Sequence, residues 1–187
     1  MKKILLFLFL FACLANKGIS QTYLKGNATY WALAVTNVSL ETRLANKWTF
    51  NGDLVFSPWK SFSGNPLLMG QIILEPRFYP RGAFKGFYVG GFGAFQIFKM
   101  SKWNYINTGK YQKGRGFALG ATIGYEVQIN ERWGVDIFAG GGWQNSQYRG
   151  YYTKTGEMYK GWNGSGEWLP YKIGVSFAYR LGKINKK

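Results

Sequence analysis

The sequence predicts an all-β chain, an eight-stranded antiparallel up-and-down transmembrane β-barrel. Three observations predict it. Apolar and small or polar residues alternate with period two from Lys25 onward, which is the spacing of a strand with two different faces. Clusters of Gly, Pro, Asn and Lys interrupt that alternation every 8 to 15 residues. The intervening connections are in turn short and long, as in barrels with tight turns at one end and longer loops at the other.

Residues 1–20 come first and read as an export signal peptide. Lys2 and Lys3 form a basic start and Ile4 to Ala12 an apolar run, with small residues Gly18 and Ser20 before the expected mature start at Gln21. The apolar stretch is too short to cross a bilayer as a helix, which needs about 20 residues. Cys13, the one cysteine of the 187 residues, falls inside this segment. Cleavage after Ser20 removes it; a second reading takes Leu10-Phe11-Ala12-Cys13 as a lipoprotein signal with Cys13 acylated. Cleavage also removes three lysines and lowers the net charge from +16 to +13. Residues 21–182 then form an outer-membrane barrel domain, and 183–187 a basic periplasmic tail.

Eight strands are expected at 25–34, 37–45, 48–57, 69–79, 86–98, 115–129, 133–148 and 169–182. The sixth shows the pattern clearly: Phe117, Leu119, Ala121, Ile123, Tyr125 and Val127 alternate with Gly116, Ala118, Gly120, Thr122, Gly124 and Glu126. In the last strand Tyr171, Ile173, Val175, Phe177 and Tyr179 share one face. Tight turns fall at Asn46-Lys47, Arg81 to Lys85 and Asn130 to Arg132, and long polar loops at 58–68, 99–114 and 149–168. Glu41 to Trp48 also resembles Glu126 to Trp133, a repeat that reads as two similar turns re-entering the membrane or as two four-strand halves.

Alternation does not by itself say which face is wet, since a soluble barrel alternates too. Residue size decides. The face opposite the bulky residues is dominated by Gly, Ala and Ser, which suits a narrow lumen, so the bulky face points to lipid. Trp48, Trp59, Trp103, Trp133 and Trp143 fall at the strand ends as interfacial aromatics would. Mid-strand glycines such as Gly90 leave room for large side chains in the lumen.

On the inferred inward face lie Glu41, Arg43, Asp53, Glu75, Arg77, Glu126, Asp136, Lys172 and Arg180. Charges confined to a small lumen must pair, because an isolated buried one costs several kcal/mol, so these residues are expected to form a lumen charge network. The acids come from different strands without the spacing of a catalytic dyad. With no histidine in the chain, His-based triads and imidazole metal sites are excluded. No catalytic, cofactor-binding or metal site is expected, and no cofactor. Lys99, Lys102, Lys110, Lys113 and Arg115 form a basic outer loop interleaved with aromatics and free of acids. In an exported protein such a loop meets lipopolysaccharide phosphates rather than nucleic acid.

The residues Asn27-Ala28-Thr29-Tyr30-Trp31-Ala32, the Asn46-Lys47-Trp48 turn leading to Ser57-Pro58-Trp59, and Gln71-Ile72-Ile73-Leu74-Glu75-Pro76-Arg77-Phe78-Tyr79 carry a family likeness. So do Gly86-Phe87-Tyr88-Val89-Gly90, Glu131-Arg132-Trp133 and Lys172-Ile173-Gly174-Val175-Ser176. Through them the sequence resembles the DUF3575 family of Bacteroidota outer-membrane proteins over nearly the whole mature chain. Pro76 follows Glu75 here, a departure from the order associated with the family. The resemblance implies an outer-membrane barrel without a known activity, and the architecture is similar to that of the enterobacterial outer-membrane proteins A and X. Barrel enzymes of this size, lipid A deacylases and palmitoyltransferases, use a histidine that this chain lacks.

The expected function is that of a non-enzymatic integral protein of the outer membrane, a monomer, serving envelope structure or surface interaction through its outer loops. Its partners would be membrane lipid, lipopolysaccharide and a secreted or surface protein. The alternatives are a narrow small-solute channel and a lipid-modifying barrel enzyme without histidine.

Overall fold

The computed structural model describes residues 21–62, 65–101 and 108–182. The expected signal peptide and the basic tail, together with Lys102 and Trp103, lie outside the described residues. The described residues form β1 (Thr22–Asn27), a short helix α1 (Ala28–Ala32), β2 (Thr36–Arg43), β3 (Trp48–Phe62), β4 (Asn65–Phe78), β5 (Gly86–Met100), β6 (Lys110–Gln128), β7 (Trp133–Tyr152) and β8 (Met158–Leu181). Each strand pairs antiparallel with the next, and β1 pairs with β8, so the sheet closes into an eight-stranded barrel. Closure leaves no free sheet edge around the ring at that level.

The side-chain distribution is inverted relative to a soluble barrel. Leu54, Phe56, Ile72, Leu74, Phe95, Leu119, Ile123 and Ile173 all stand exposed on the outer wall. Glu41, Asn51, Glu75, Arg77, Gln96, Glu126, Asp136 and Lys172 are buried within. Period two places the two sets on opposite faces of the same strands, so one alternation explains both.

β4 reads through the whole lumen. Tyr79, just after it, lies nearest the end where β1 begins and β8 ends. Arg77 and Glu75 come next, then Ile73 in an apolar layer with Phe92, Ala94 and Ala118, then Gln71, whose amide donates to Gln96 at 3.4 Å. Eight strands leave an interior about one layer of side chains wide, and the largest of these fit because glycines face them. Tyr88 lies opposite Gly124 and Phe92 opposite Gly120; a Cβ at either glycine would run into the facing ring.

The terminal end is closed by the β4–β5 turn, which folds inward. Ala83 and Phe84 are buried against Tyr23 and Ala178. Phe84 lies 4.6 Å from the Tyr23 ring and is fully enclosed. To reach that position it takes a φ of 64°, a left-handed conformation costly for a bulky residue. The Ala83 amide is tied to the Asn46 carbonyl of the neighbouring β2–β3 turn at 2.8 Å.

Three expectations are corrected. Residues 28–34 are not strand: the Asn27 side chain accepts from the Thr29 amide, which is an N-cap, and α1 follows. Trp31 then covers Gly26, where a Cβ would strike its ring. The long polar loops are largely strand, since β3, β4, β6, β7 and β8 all continue pairing through 58–62, 65–68, 110–114, 149–152 and 158–168. Polar residues there pair as well as apolar ones once they leave the apolar zone. A bulge at Gly140/Gly141 leaves Tyr171 as an extra residue between Pro170 and Lys172, and Tyr171 stacks inward on Phe92 at 5.4 Å instead of sharing the outer face of Ile173. Pro170 has no N–H to give the ladder, which suits it to a bulge. Finally, β1 reaches only Asn27, so the wall is lower at β1 and β2 than at β6 to β8, and α1 lies against β8 in that dip.

Candidate functional site

Of the nine expected network residues, the structure brings six together: Glu41, Glu75, Arg77, Glu126, Asp136 and Lys172. Lys25 joins them. Arg77 is the hub. Its Nη1 donates to Glu41 Oε2 at 2.7 Å and to Asp136 Oδ2 at 2.9 Å, while Nη2 and Nε both reach Glu75 Oε2, at 2.8 and 3.0 Å. Lys172 Nζ approaches the same Glu75 oxygen at 2.6 Å. Lys25 Nζ lies 2.7 Å from Glu41 Oε2, 2.6 Å from Glu126 Oε2 and 3.0 Å from Asp136 Oδ2.

Neutral donors add to the shell. Thr49 Oγ1 and the Tyr79 hydroxyl both donate to Glu41 Oε1. The Tyr88 hydroxyl donates to Asp136 Oδ1 at 2.9 Å, with the Arg77 guanidinium 4.5 Å from the Tyr88 ring centre. Every one of these side chains is buried. The carboxylate oxygens of Glu41, Glu126 and Asp136 lie within 4.8 Å of one another, a spacing that would suit an oxygen-coordinated cation. The Lys25 ammonium already lies among them, so the chain supplies its own cation.

Three expected members are elsewhere. Arg43 is exposed at the β2–β3 turn, where it donates to the Ala45 carbonyl and to Asn46 Oδ1. Arg180, the register partner of Tyr23 on β8, is half-buried and makes none of the cluster's ion pairs; its backbone amide is bonded to the Arg132 carbonyl. Asp53 is buried higher up, accepting from Asn37 Nδ2 at 2.5 Å. Lys25 was legible by the same parity that finds Glu41, since Tyr23 is the register partner of Glu41 and Lys25 follows it by two.

The outward aromatics form two rows. At the end where β1 begins and β8 ends, Trp48 packs on Phe78 and Trp133 on Tyr179; at the other end Trp143 packs on Trp168, which lies in β8 and not in a loop. Trp59 does not belong to the rows. It falls on the inward register of β3 and donates its indole N–H to the Leu33 carbonyl at 3.1 Å.

The basic residues expected in one loop are strand residues instead. Lys99 lies in β5, and Lys110, Lys113 and Arg115 lie in β6. Lys99, Lys113 and Arg115 hold outward positions, directly beyond the exposed Ile97 and Phe117. Arg149 of β7 and Trp162 of β8 join them on the same face.

These features define a small antiparallel barrel turned inside out, apolar outside and ionic within. The chain belongs to the family described as "Protein of unknown function (DUF3575)", whose match spans residues 4–181. No curated protein and no solved structure matches the chain.

Proposed function

We propose that the protein is a non-enzymatic integral barrel of the outer membrane that stabilises the envelope and presents its tall β6 to β8 strand ends at the surface. The observation that carries this reading is the inverted wall. Leu54, Leu74, Ile123 and Ile173 stand exposed while Glu41, Glu75, Arg77 and Asp136 are buried. In water that arrangement would leave a continuous apolar surface far larger than a soluble monomer tolerates. In a bilayer it is the arrangement that satisfies every backbone group while facing hydrocarbon with hydrocarbon.

The aromatic rows support the same reading. Trp133 and Trp143 lie ten residues apart on β7, near the 9–11 residues or so that a tilted strand needs to cross the hydrocarbon. The lumen supports a non-catalytic, non-conducting role. Its carboxylates are held by Arg77, Lys25 and Lys172, and its terminal mouth is filled by Phe84. Such a network locks five strands, β1, β2, β4, β7 and β8, plus β6 through Glu126, into one register.

Refolding into neutral phospholipid vesicles tests the reading. Tryptophan fluorescence should be quenched by lipids brominated near the headgroup, and β7 should resist added protease. A soluble, vesicle-free barrel would overturn it. Planar-bilayer recording should be silent, and steady single-channel conductance would favour a solute channel instead.

A further inference from the structure

We propose that the outward face of β5 to β8 carries a binding site for the phosphates of an outer-leaflet glycolipid headgroup, built by Lys99, Lys113, Arg115 and Arg149. The proposal rests on the membrane reading above and adds a ligand class and its residues.

Register places the cations side by side. Lys99 is the direct partner of Lys113, and Lys113 the direct partner of Arg149, so three like charges form one row across three strands. Side chains in directly opposed pairs have Cβ atoms about 5 Å apart, and like charges there are destabilising. Arg115, two residues along β6 from Lys113, adds a fourth and bonds Gln147 Oε1 at 3.3 Å. Among the described residues none of the four makes an ion pair with a carboxylate. The chain therefore concentrates uncompensated positive charge where a random surface would disperse it.

Placement selects the ligand. Going outward along β6, Arg115 is the next outer-face residue after the exposed Phe117; along β5, Lys99 is the next after Ile97. The cations thus begin where the apolar band ends, at the level of lipid phosphates. An open groove of about 740 Å³ adjoins these cations and reaches back to β3 and β4, lined among others by Phe56, Leu68, Ile97, Lys113, Arg149 and Trp162. Its lower rim is apolar and suits acyl chains; its upper rim is basic. Two of the cations are held by rings: Arg149 lies 4.5 Å from the Trp162 centroid and Lys99 Nζ 4.8 Å from that of Tyr111. Rings that restrain the cations reduce the ordering cost of binding, and arginine suits bidentate contact with phosphate oxygens.

Native mass spectrometry of the refolded barrel in neutral detergent tests this, with bis-phosphorylated lipid A, its dephosphorylated form and inorganic phosphate as probes. The wild type should retain one bis-phosphorylated lipid and bind it at least about tenfold more tightly than the dephosphorylated one, the scale expected from losing charge-assisted contacts. The double variant Lys113→Gln/Arg149→Gln should lose that preference. A control of equal charge change at the terminal end, Lys47→Gln/Arg81→Gln, should keep it. Equal retention of both lipids, equal loss in the control, or binding of inorganic phosphate as tight as that of the lipid would each overturn the proposal. Vesicle insertion is scored separately. A wild type that inserts but is blind to phosphate sinks the site alone, whereas failure to insert sinks the membrane reading and the site with it.

Discussion

Inside the barrel, Lys25, Arg77 and Lys172 each lie within 3.0 Å of a carboxylate oxygen; outside it, Lys99, Lys113 and Arg149 stand in a row with only one another as charged register neighbours. The two groups use the same residue types to opposite ends. The interior set is buried and, together with the four acids that match it, is aimed inward from six strands, so its charges are compensated by the fold. The exterior set is open and unmatched, so compensation must come from outside the chain. Pairing, rather than charge count, separates a structural cluster from a binding surface.

Breaking the interior set should have the largest effect. Arg77→Met removes the partner of Glu41, Glu75 and Asp136 together, and stripping one side of a buried ion pair costs about 3–5 kcal/mol. Urea unfolding of the refolded barrel, followed by tryptophan fluorescence, should show a loss of that size, and an unshifted midpoint would mean the cluster holds nothing together. Lys25→Met should cost about 3 kcal/mol on the same grounds, with a distinguishing feature. It leaves the oxygens of Glu41, Glu126 and Asp136 within 4.8 Å of one another with no ammonium among them. Millimolar Ca²⁺ should then recover part of the loss in the variant and leave the wild type unmoved; a variant indifferent to Ca²⁺ would show that the acids separate once Lys25 is gone.

A smaller interior effect is expected at Tyr88. Its hydroxyl is the neutral donor to Asp136 Oδ1, and Tyr88→Phe keeps the ring beside Arg77 while removing that bond. Leaving a buried charged acceptor short of one donor costs about 1–3 kcal/mol. Denaturant midpoints should fall accordingly, less than for Arg77→Met, and an equal fall would place the weight on the donor instead of the hub.

Most of the interior was legible because parity alone assigns it. Glu41, Glu75, Arg77, Glu126, Asp136 and Lys172 each adjoin a bulky apolar residue of the opposite face, namely Leu40, Leu74, Phe78, Tyr125, Ile137 and Ile173, and confinement then demands that they meet. Arg43 escapes because β2 ends with it and its side chain bends to the turn carbonyl of Ala45, a local contact that alternation does not encode. The repeat of Glu41 to Trp48 at Glu126 to Trp133 was also real in geometry. Leu44 and Ala45 donate to the Trp48 carbonyl just as Ile129 and Asn130 donate to that of Trp133, and Glu41 and Glu126 both reach Lys25. The exterior patch was half legible. Lys99, Lys113 and Arg115 stand out in the sequence as a basic run, but alternation marks a strand only where apolar residues take part in it, so 99–114 carries no strand signal of its own. Arg149 then stayed invisible, because only register, with Lys113 opposite it, brings it to the others.

The exterior set should give the smallest stability effect and the most diagnostic one. Exposed charges a few Å apart interact by about 1 kcal/mol or less, so Lys113→Gln should leave unfolding within about 0.5 kcal/mol of wild type. The sign is what matters. Removing the central cation of the Lys99–Lys113–Arg149 row relieves two opposed contacts and replaces none, so in neutral detergent the variant should be slightly more stable. Salt should act in the same sense on the wild type, because the screening length shrinks from roughly 10 Å at 0.1 M to roughly 3 Å at 1 M. Wild-type stability should therefore rise a few tenths of a kcal/mol between those concentrations, and that rise should be smaller in Lys113→Gln than in the equally discharged Lys47→Gln. A Lys113→Gln variant that is less stable at low salt would show that an acceptor on the chain already answers Lys113, and the contrast between a matched interior and an unmatched exterior would fail at its central residue.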